Sequence, residues 1–194
     1  MAIVRAQVVD QSINGVQLGF MGIWLHNESK IAQRWALRTE IGYEALLNPN
    51  HYNTIIYHHD KNTQEILPNI NRFPIFLPVI SLETRWYYNS PKRQGNSKNT
   101  FHNSSNFAAL AIRYYPEILA FSPHEINELD GGVFLVPSWG IRRNLSYRIN
   151  YELGAGLGLD VYELLTEPYA TTDPLFNIHI RIGYKFGKRA FQEN

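Results

Sequence analysis

The sequence predicts an all-β fold: a closed, antiparallel, up-and-down β-barrel of eight strands, in a single domain over residues 1–194. Three observations lead to this prediction. Segments with period-two alternation of apolar and polar residues recur along the chain. Short turns and long polar connections separate them, as in barrels that have short turns at one end and long loops at the other. One face of each segment is bulky and apolar, while the other combines glycine with charged residues of both signs.

Seven segments carry the alternation and are rich in β-branched and aromatic residues. They are Val16–His26, Ala32–Leu47, Ile75–Asn89, Asn106–Tyr115, Gly132–Arg143, Arg148–Tyr162 and Leu175–Phe186. Most have about ten to fifteen residues, whereas strands of globular proteins usually have about 5–6 and a membrane-spanning strand needs about 9–11. Single-chain bacterial barrels have an even strand count. We therefore expect an eighth strand from Ile3–Asp10, within the N-terminal segment 1–12, with Tyr52–His58 as the other candidate.

The connections predicted between these segments differ in length. The tight turns are Asn27–Ile31 and Asn144–Tyr147. The long loops are Asn48–Phe73 and Pro116–Gly131. The connections of medium length are Ser90–Ser105 and Thr166–Pro174. Outer-membrane barrels have short turns at one end and longer loops at the other. The medium connection after the third segment fits that pattern least well.

The polar faces of the segments carry positive and negative side chains in similar number, and these could form an ion-pair network inside a narrow barrel. Glycine on the same faces makes room for large side chains in such an interior, and the arginine fork can bond two carboxylates at once. The predicted network consists of Arg38, Glu40, Glu44, Glu83, Arg85, Arg113, Arg142, Glu152, Asp160 and Arg181. A core filled in this way leaves no open channel.

The apolar faces are large and nearly continuous, and aromatic residues make up 13% of the chain. The four tryptophans, Trp24, Trp35, Trp86 and Trp139, are all predicted on the apolar face and near one end, as an aromatic belt at a membrane interface would be. An outward apolar face predicts a transmembrane barrel. A soluble lipocalin-like barrel with an apolar interior is the alternative, and the glycines lie on the wrong face for it.

The composition excludes several classes of function. There is no cysteine and the formal net charge is +1, so thiol chemistry, disulfides and nucleic-acid binding are not expected. No apolar run reaches the ~18 residues of a transmembrane helix. Residues 1–12 lack the apolar region of a secretory signal. If the protein is exported, we expect that its signal is not part of this sequence.

Several stretches resemble a family of small outer-membrane β-barrel proteins of Bacteroidota. They are ALRTEIGYE, PVISLETRWYYN, SSNFAALAIRYYPE, PSWGIRRNL, YELGAGLGLDVY and IHIRIGYKFGK. TRWYYN and WGIRRN are the most specific parts. The resemblance implies an OmpA-like eight-stranded architecture and an outer-membrane location in a Gram-negative bacterium, and it implies no catalytic residues. The chain departs from many such proteins in the tail 187–194, since their last strand commonly ends the chain on an aromatic residue.

Two groups of residues suggest chemistry; a solvated loop cluster is the simpler interpretation of the first, and a structural role is the simpler interpretation of the second. His58, His59 and Asp60 form the densest His/Asp cluster and are weak candidates for metal ligands, because no third and fourth ligand is evident. His179 lies in the body of a strand, where Glu152 or Asp160 on the neighbouring strand would be near it. A hydrogen-bonded histidine in a polar core is expected there.

The sequence therefore predicts a non-enzymatic integral outer-membrane barrel without cofactors. It would be a monomer in contact with outer-membrane lipids, and any surface ligand or protein would bind through loops 48–73 and 116–131. A barrel enzyme acting on lipid or peptide at the rim is the second hypothesis, and a soluble ligand-binding barrel is the third.

Overall fold

The computed structural model describes residues 9–46, 75–116, 132–161, 165 and 175–186. Within them, eight strands form a closed barrel: β1 Ser12–Gly19, β2 Gly22–Ala32, β3 Trp35–Leu46, β4 Ile75–Trp86, β5 Asn106–Tyr115, β6 Gly132–Asn144, β7 Ile149–Asp160 and β8 Leu175–Lys185. Each strand pairs antiparallel with its neighbour in the sequence, and β1 pairs with β8 to close the wall. The predicted all-β, eight-stranded, closed antiparallel barrel is confirmed.

The first predicted strand and the turn after it are wrong. Val16–His26 is not one strand, because the chain reverses at Phe20 and Met21 between β1 and β2. Gly22, at φ 156°, lies so close to the Tyr43 carbonyl that a side chain there would collide with it. Asn27–Ile31 is not a turn but continues β2. The reversal is hard to see in the sequence because its two residues are apolar instead of typical turn residues.

The hairpin at residues 20–21 supplies the additional strand, so the eighth strand does not come from the N-terminal segment. The barrel closes from Ser12 onward, and Val9 and Asp10 are not in a strand. The remainder of the predicted N-terminal strand, residues 3–8, lies outside the described residues, as does Tyr52–His58. Elsewhere the prediction is close, and β5 has the predicted bounds.

The two ends of the barrel differ. One end, hereafter the short-turn end, has the turns at residues 33–34 and 145–148, the connection 87–105, the start of β1 and the end of β8. Connection 87–105 contains helix α1 Ser90–Gly95 and the 3-10 turn Phe101–Asn103. The opposite end has the turn at residues 20–21 and receives segments 47–74, 116–131 and 161–174.

The interior is divided into an apolar part and a charged part. Towards the opposite end, Trp24 packs with a cluster of apolar side chains, namely Leu77, Val79, Ala111, Tyr115, Phe134 and Val136. Towards the short-turn end, Tyr87 packs edge-on against Phe107 with Val9 and Ala36. Buried arginines and glutamates lie among these clusters.

Candidate functional site: the charged interior and the apolar wall

The ten residues predicted to form the interior network are all buried in the structure. They reach the interior because their strands alternate, so that every second side chain points inward. Nine of them, together with Glu28, form one continuous chain of ion pairs among five arginines and five glutamates: Arg38, Arg85, Arg113, Arg142, Arg181, Glu28, Glu40, Glu44, Glu83 and Glu152. The tenth, Asp160, is buried at the end of β7 next to the opposite end.

Arg85 and Arg142 join four strands across the barrel, namely β2, β4, β6 and β7. Arg85 bonds both oxygens of Glu152 at 2.9 Å, and its Nε bonds Glu83 at 2.7 Å. Arg142 bonds Glu152 at 2.8 Å and Glu28 at 2.8 Å. Because Glu152 and Glu28 are each in contact with both guanidinium groups, their charges are neutralised locally instead of being left buried and unpaired.

Near the middle of the barrel, the ion pairs continue through Arg38, Glu40 and Arg181. Arg38 Nε donates to Glu40 at 2.7 Å, and Arg181 Nη1 donates to the same carboxylate at 3.0 Å. Arg181 also lies 3.7 Å from Glu44, which Arg113 bonds at 3.1 Å. The five arginines thus cross-link strands on all sides of the interior.

Glu28 is a central residue of this network, and sequence reasoning missed it. Besides Arg142 it contacts Arg38 at 3.3 Å and Arg85 at 3.8 Å. It was missed because residues 27–31 were interpreted as a turn. The signal in the sequence is the continuing alternation of β2, in which Trp24 and His26 precede Glu28 on the inward face.

Connection 87–105 closes the charged interior at the short-turn end by reaching Glu28. Tyr87 donates to Glu28 at 2.7 Å, and the side-chain amide of Asn103 donates to the same oxygen. Burial raises the pKa of the Tyr87 phenol above its usual range, so the hydroxyl keeps its proton and remains a donor. Asn103 also accepts from the backbone N–H of Asp10 at 2.9 Å.

The prediction that Trp24 belongs to an outward belt is wrong. Trp24 is 2% exposed, lies inside the barrel and is close to the opposite end. Its indole N–H donates to Glu44 at 3.0 Å, and the Arg181 guanidinium carbon lies 3.8 Å from its ring centroid. The residue points inward because the hairpin at residues 20–21 changes which residues of this region face the interior. Gly42 opposite makes room for the ring.

The other three tryptophans lie on the outer face in the half of the wall nearer the short-turn end. Trp35 and Trp86 are directly paired and stack with ring centroids 5.9 Å apart. Trp139 is 46% exposed and donates to the Tyr88 hydroxyl at 2.8 Å. Together with Tyr88, whose ring is 5.8 Å from that of Trp86, they form an aromatic belt around part of the rim.

The residues predicted as candidates for catalysis or metal binding have the following positions. His179 faces inward, and its Nε2 lies 3.5 Å from Glu152. Arg85 and Arg142 already hold that carboxylate in ion pairs. The weak metal candidates His58, His59 and Asp60 lie outside the described residues, as do loop 48–73 and loop 116–131 apart from Pro116.

Two further findings concern the described residues. Within residues 9–46, 75–116, 132–161 and 175–186, no three His, Asp or Glu side chains are arranged to hold a metal ion. In the same part of the chain, no helix has the length and apolar character needed to cross a membrane.

The fold and its interior define a class: a closed eight-stranded antiparallel barrel with a charge-paired core and an apolar outer wall. Comparison with protein-family models, curated proteins and solved structures yields no match to this chain. The resemblance to small outer-membrane barrels of Bacteroidota therefore stays a prediction from the sequence.

Proposed function

We propose that this protein is an integral outer-membrane β-barrel of a Gram-negative bacterium with a closed, charge-paired interior. Its role is structural, or it binds surface partners through loops 48–73 and 116–131. It acts as a monomer without enzymatic activity or cofactor, and its wall is surrounded by lipid.

The observation that carries this proposal is the sidedness of the wall. The ion pairs of the interior are buried, whereas the outward side chains of the wall as a whole are predominantly apolar. In β8, Phe176 is 77% and Ile178 is 68% exposed, and Ile180 and Ile182 continue the row. A soluble monomer rarely exposes a contiguous apolar surface larger than a few hundred Å², and here the apolar surface surrounds the barrel.

The dimensions of the wall also support lipid as its surroundings. Seven of the eight strands have 10 to 13 residues, which matches the ~9–11 residues that a tilted strand needs to cross the hydrocarbon. The closed ladder leaves no open sheet edge, and this is a requirement for any sheet within lipid. The aromatic belt at the short-turn end is typical of a membrane interface.

Tryptophan quenching by brominated phospholipids tests the proposal, with the buried tryptophan as an internal control. Two variants are compared, one keeping only Trp139 and one keeping only Trp24, with the other tryptophans changed to phenylalanine. After refolding into vesicles, bromines on the acyl chains are expected to quench Trp139 strongly and Trp24 weakly, because only Trp139 lies on the outer face.

Two results would contradict the membrane proposal. One is a protein that purifies as a monodisperse monomer without detergent. The other is the absence of quenching of Trp139 in protein that shows the heat-dependent change in gel mobility expected of a folded barrel. Equal quenching of both tryptophans would contradict the placement of Trp24.

A further inference from the structure

Charge is distributed unequally between the two ends of the barrel. Connection 87–105 at the short-turn end has Lys92, Arg93 and Lys98 and no acidic residue, and the two turns at that end contribute Arg34 and Arg148. In contrast, segment 116–131, which links β5 to β6, has Glu117, Glu125, Glu128 and Asp130 and no lysine or arginine. The short-turn end therefore attracts anions.

Arg93 and Arg143 are neighbours within this basic end. Arg143 is on the outer face of β6, and Arg93 is in α1. Hydrogen bonds through two asparagines link them: the Arg93 backbone N–H donates to the Asn89 carbonyl at 3.1 Å, Asn89 Oδ1 accepts from the Asn106 backbone N–H at 2.9 Å, and Asn106 Oδ1 accepts from the Arg143 guanidinium. The hydrogen bonds of both guanidinium groups go to carbonyl and amide oxygens and not to a carboxylate of a described residue. Two neighbouring positive charges that are not paired with a carboxylate attract an anion.

Hydrogen bonds to protein oxygens orient both guanidinium groups. Arg143 donates to the carbonyl of Arg142 and to Asn106 Oδ1, each at 2.6 Å. These bonds use two of its five N–H groups. Arg93 donates to the carbonyl of Asn99 at 2.9 Å, while its Nε is buried and has no partner among the described residues. Donors therefore remain on both side chains.

A hydrophobic surface leads from this pair of arginines into the apolar wall. On the outer face of β6, Ile141 and then Trp139 precede Arg143. Trp139 bonds the Tyr88 hydroxyl, to which Asn106 also donates at 3.4 Å. The same Asn106 orients Arg143, so the aromatic belt and the basic pair are joined by hydrogen bonds.

We propose that Arg93 and Arg143 bind the phosphate of an anionic phospholipid headgroup, with its acyl chain along Ile141 and Trp139. This inference rests on the proposed membrane location. Guanidinium groups bind phosphate oxygens in a bidentate manner, and indole and phenol rings favour the headgroup level. A lipid satisfies both halves of the site, whereas a free phosphate would leave the apolar half without a partner.

Native mass spectrometry of the detergent-purified barrel tests the site, with phosphatidylglycerol and phosphatidylcholine added in equal amounts. The wild type is expected to retain phosphatidylglycerol preferentially. The double variant Arg93→Gln/Arg143→Gln should lose this preference by about 100-fold, since each charge-assisted hydrogen bond to the phosphate contributes about tenfold. The control Arg34→Gln/Lys98→Gln removes the same charge from the same end and should keep the preference. Arg93→Gln alone, in the short surface helix, should lose about tenfold.

Each other outcome overturns a different statement. Equal losses in the site and control variants would show attraction by net charge alone and overturn the site. Displacement of the lipid by millimolar inorganic phosphate would identify a free-anion site instead. A barrel that inserts into vesicles without headgroup preference overturns this inference only, whereas a chain that stays in the aqueous phase overturns the proposed function as well.

Discussion

At the residue scale, Glu28 shows how the interior tolerates so many buried charges. It is fully buried, contacts three arginines and accepts hydrogen bonds from Tyr87 and Asn103. Burying a carboxylate is costly unless charge and hydrogen bonds compensate it. Glu28 has both kinds of compensation, and it therefore couples the barrel wall to connection 87–105.

Replacing Glu28 with glutamine should destabilise the barrel by about 3–5 kcal/mol, because three guanidinium groups would lose a shared anionic partner. Tyr87→Phe removes one hydrogen bond to the same carboxylate but no charge, and should cost about 1.5–3 kcal/mol. Urea unfolding from phospholipid vesicles measures both values. If Glu28→Gln costs no more than Tyr87→Phe, the charge of Glu28 does not stabilise the network.

At the element scale, glycines in the strands decide where large interior side chains fit. Phe107 of β5 is fully buried and lies over Gly140 of β6, its direct partner in the ladder. The Arg85 guanidinium carbon lies 4.2 Å from the same phenyl ring centroid. A side chain at position 140 would collide with the ring, and the displacement would be passed on to Arg85 and its carboxylates.

Gly140→Ala is therefore expected to lower the free energy of unfolding by about 1–3 kcal/mol through overpacking. Gly95→Ala provides the matched control, because no described atom apart from its chain neighbours and its own helix backbone lies within 4 Å of the methyl group that it would add. Parallel urea titrations compare the two. A stability change of the same size in both variants would show that the loss of glycine flexibility, and not the contact with Phe107, determines the effect.

At the scale of the whole molecule, the barrel has the opposite arrangement from a soluble ligand carrier. On the strands, most charged side chains point inward and most outward side chains are apolar. The apolar interior cluster around Trp24 is itself filled by buried side chains. Because the described part of the interior is occupied by five ion-paired arginines and packed aromatic rings, we expect no wide water-filled passage along the barrel axis.

We accordingly expect the wild-type protein to show no steady, large conductance in planar bilayers. Arg85→Ala removes the side chain that bonds both Glu83 and Glu152, and should make brief openings more frequent. Steady channels in the wild type would contradict a closed interior. Heat-dependent gel mobility of both proteins serves as the control that each has folded.

Much of the barrel follows from local patterns, and the departures have identifiable causes. Alternation predicted the strand β5 with its bounds and the inward direction of all ten network residues, because a side-chain period of two is a property of the strand itself. The hairpin at Phe20 and Met21 was missed because alternation continues on both sides of the reversal. That one error concealed Glu28 and reversed the orientation assigned to Trp24.

The sequence by itself therefore determined the all-β class, the segments that form most strands and the faces that carry charge. The tertiary structure decided which charges meet. Glu28 and Arg142 are 114 residues apart, and only closure of the barrel brings them to 2.8 Å. The tertiary structure also placed the connection 87–105 on Glu28 and brought Arg93 next to Arg143, because such contacts depend on strand register and barrel closure, which no local pattern encodes.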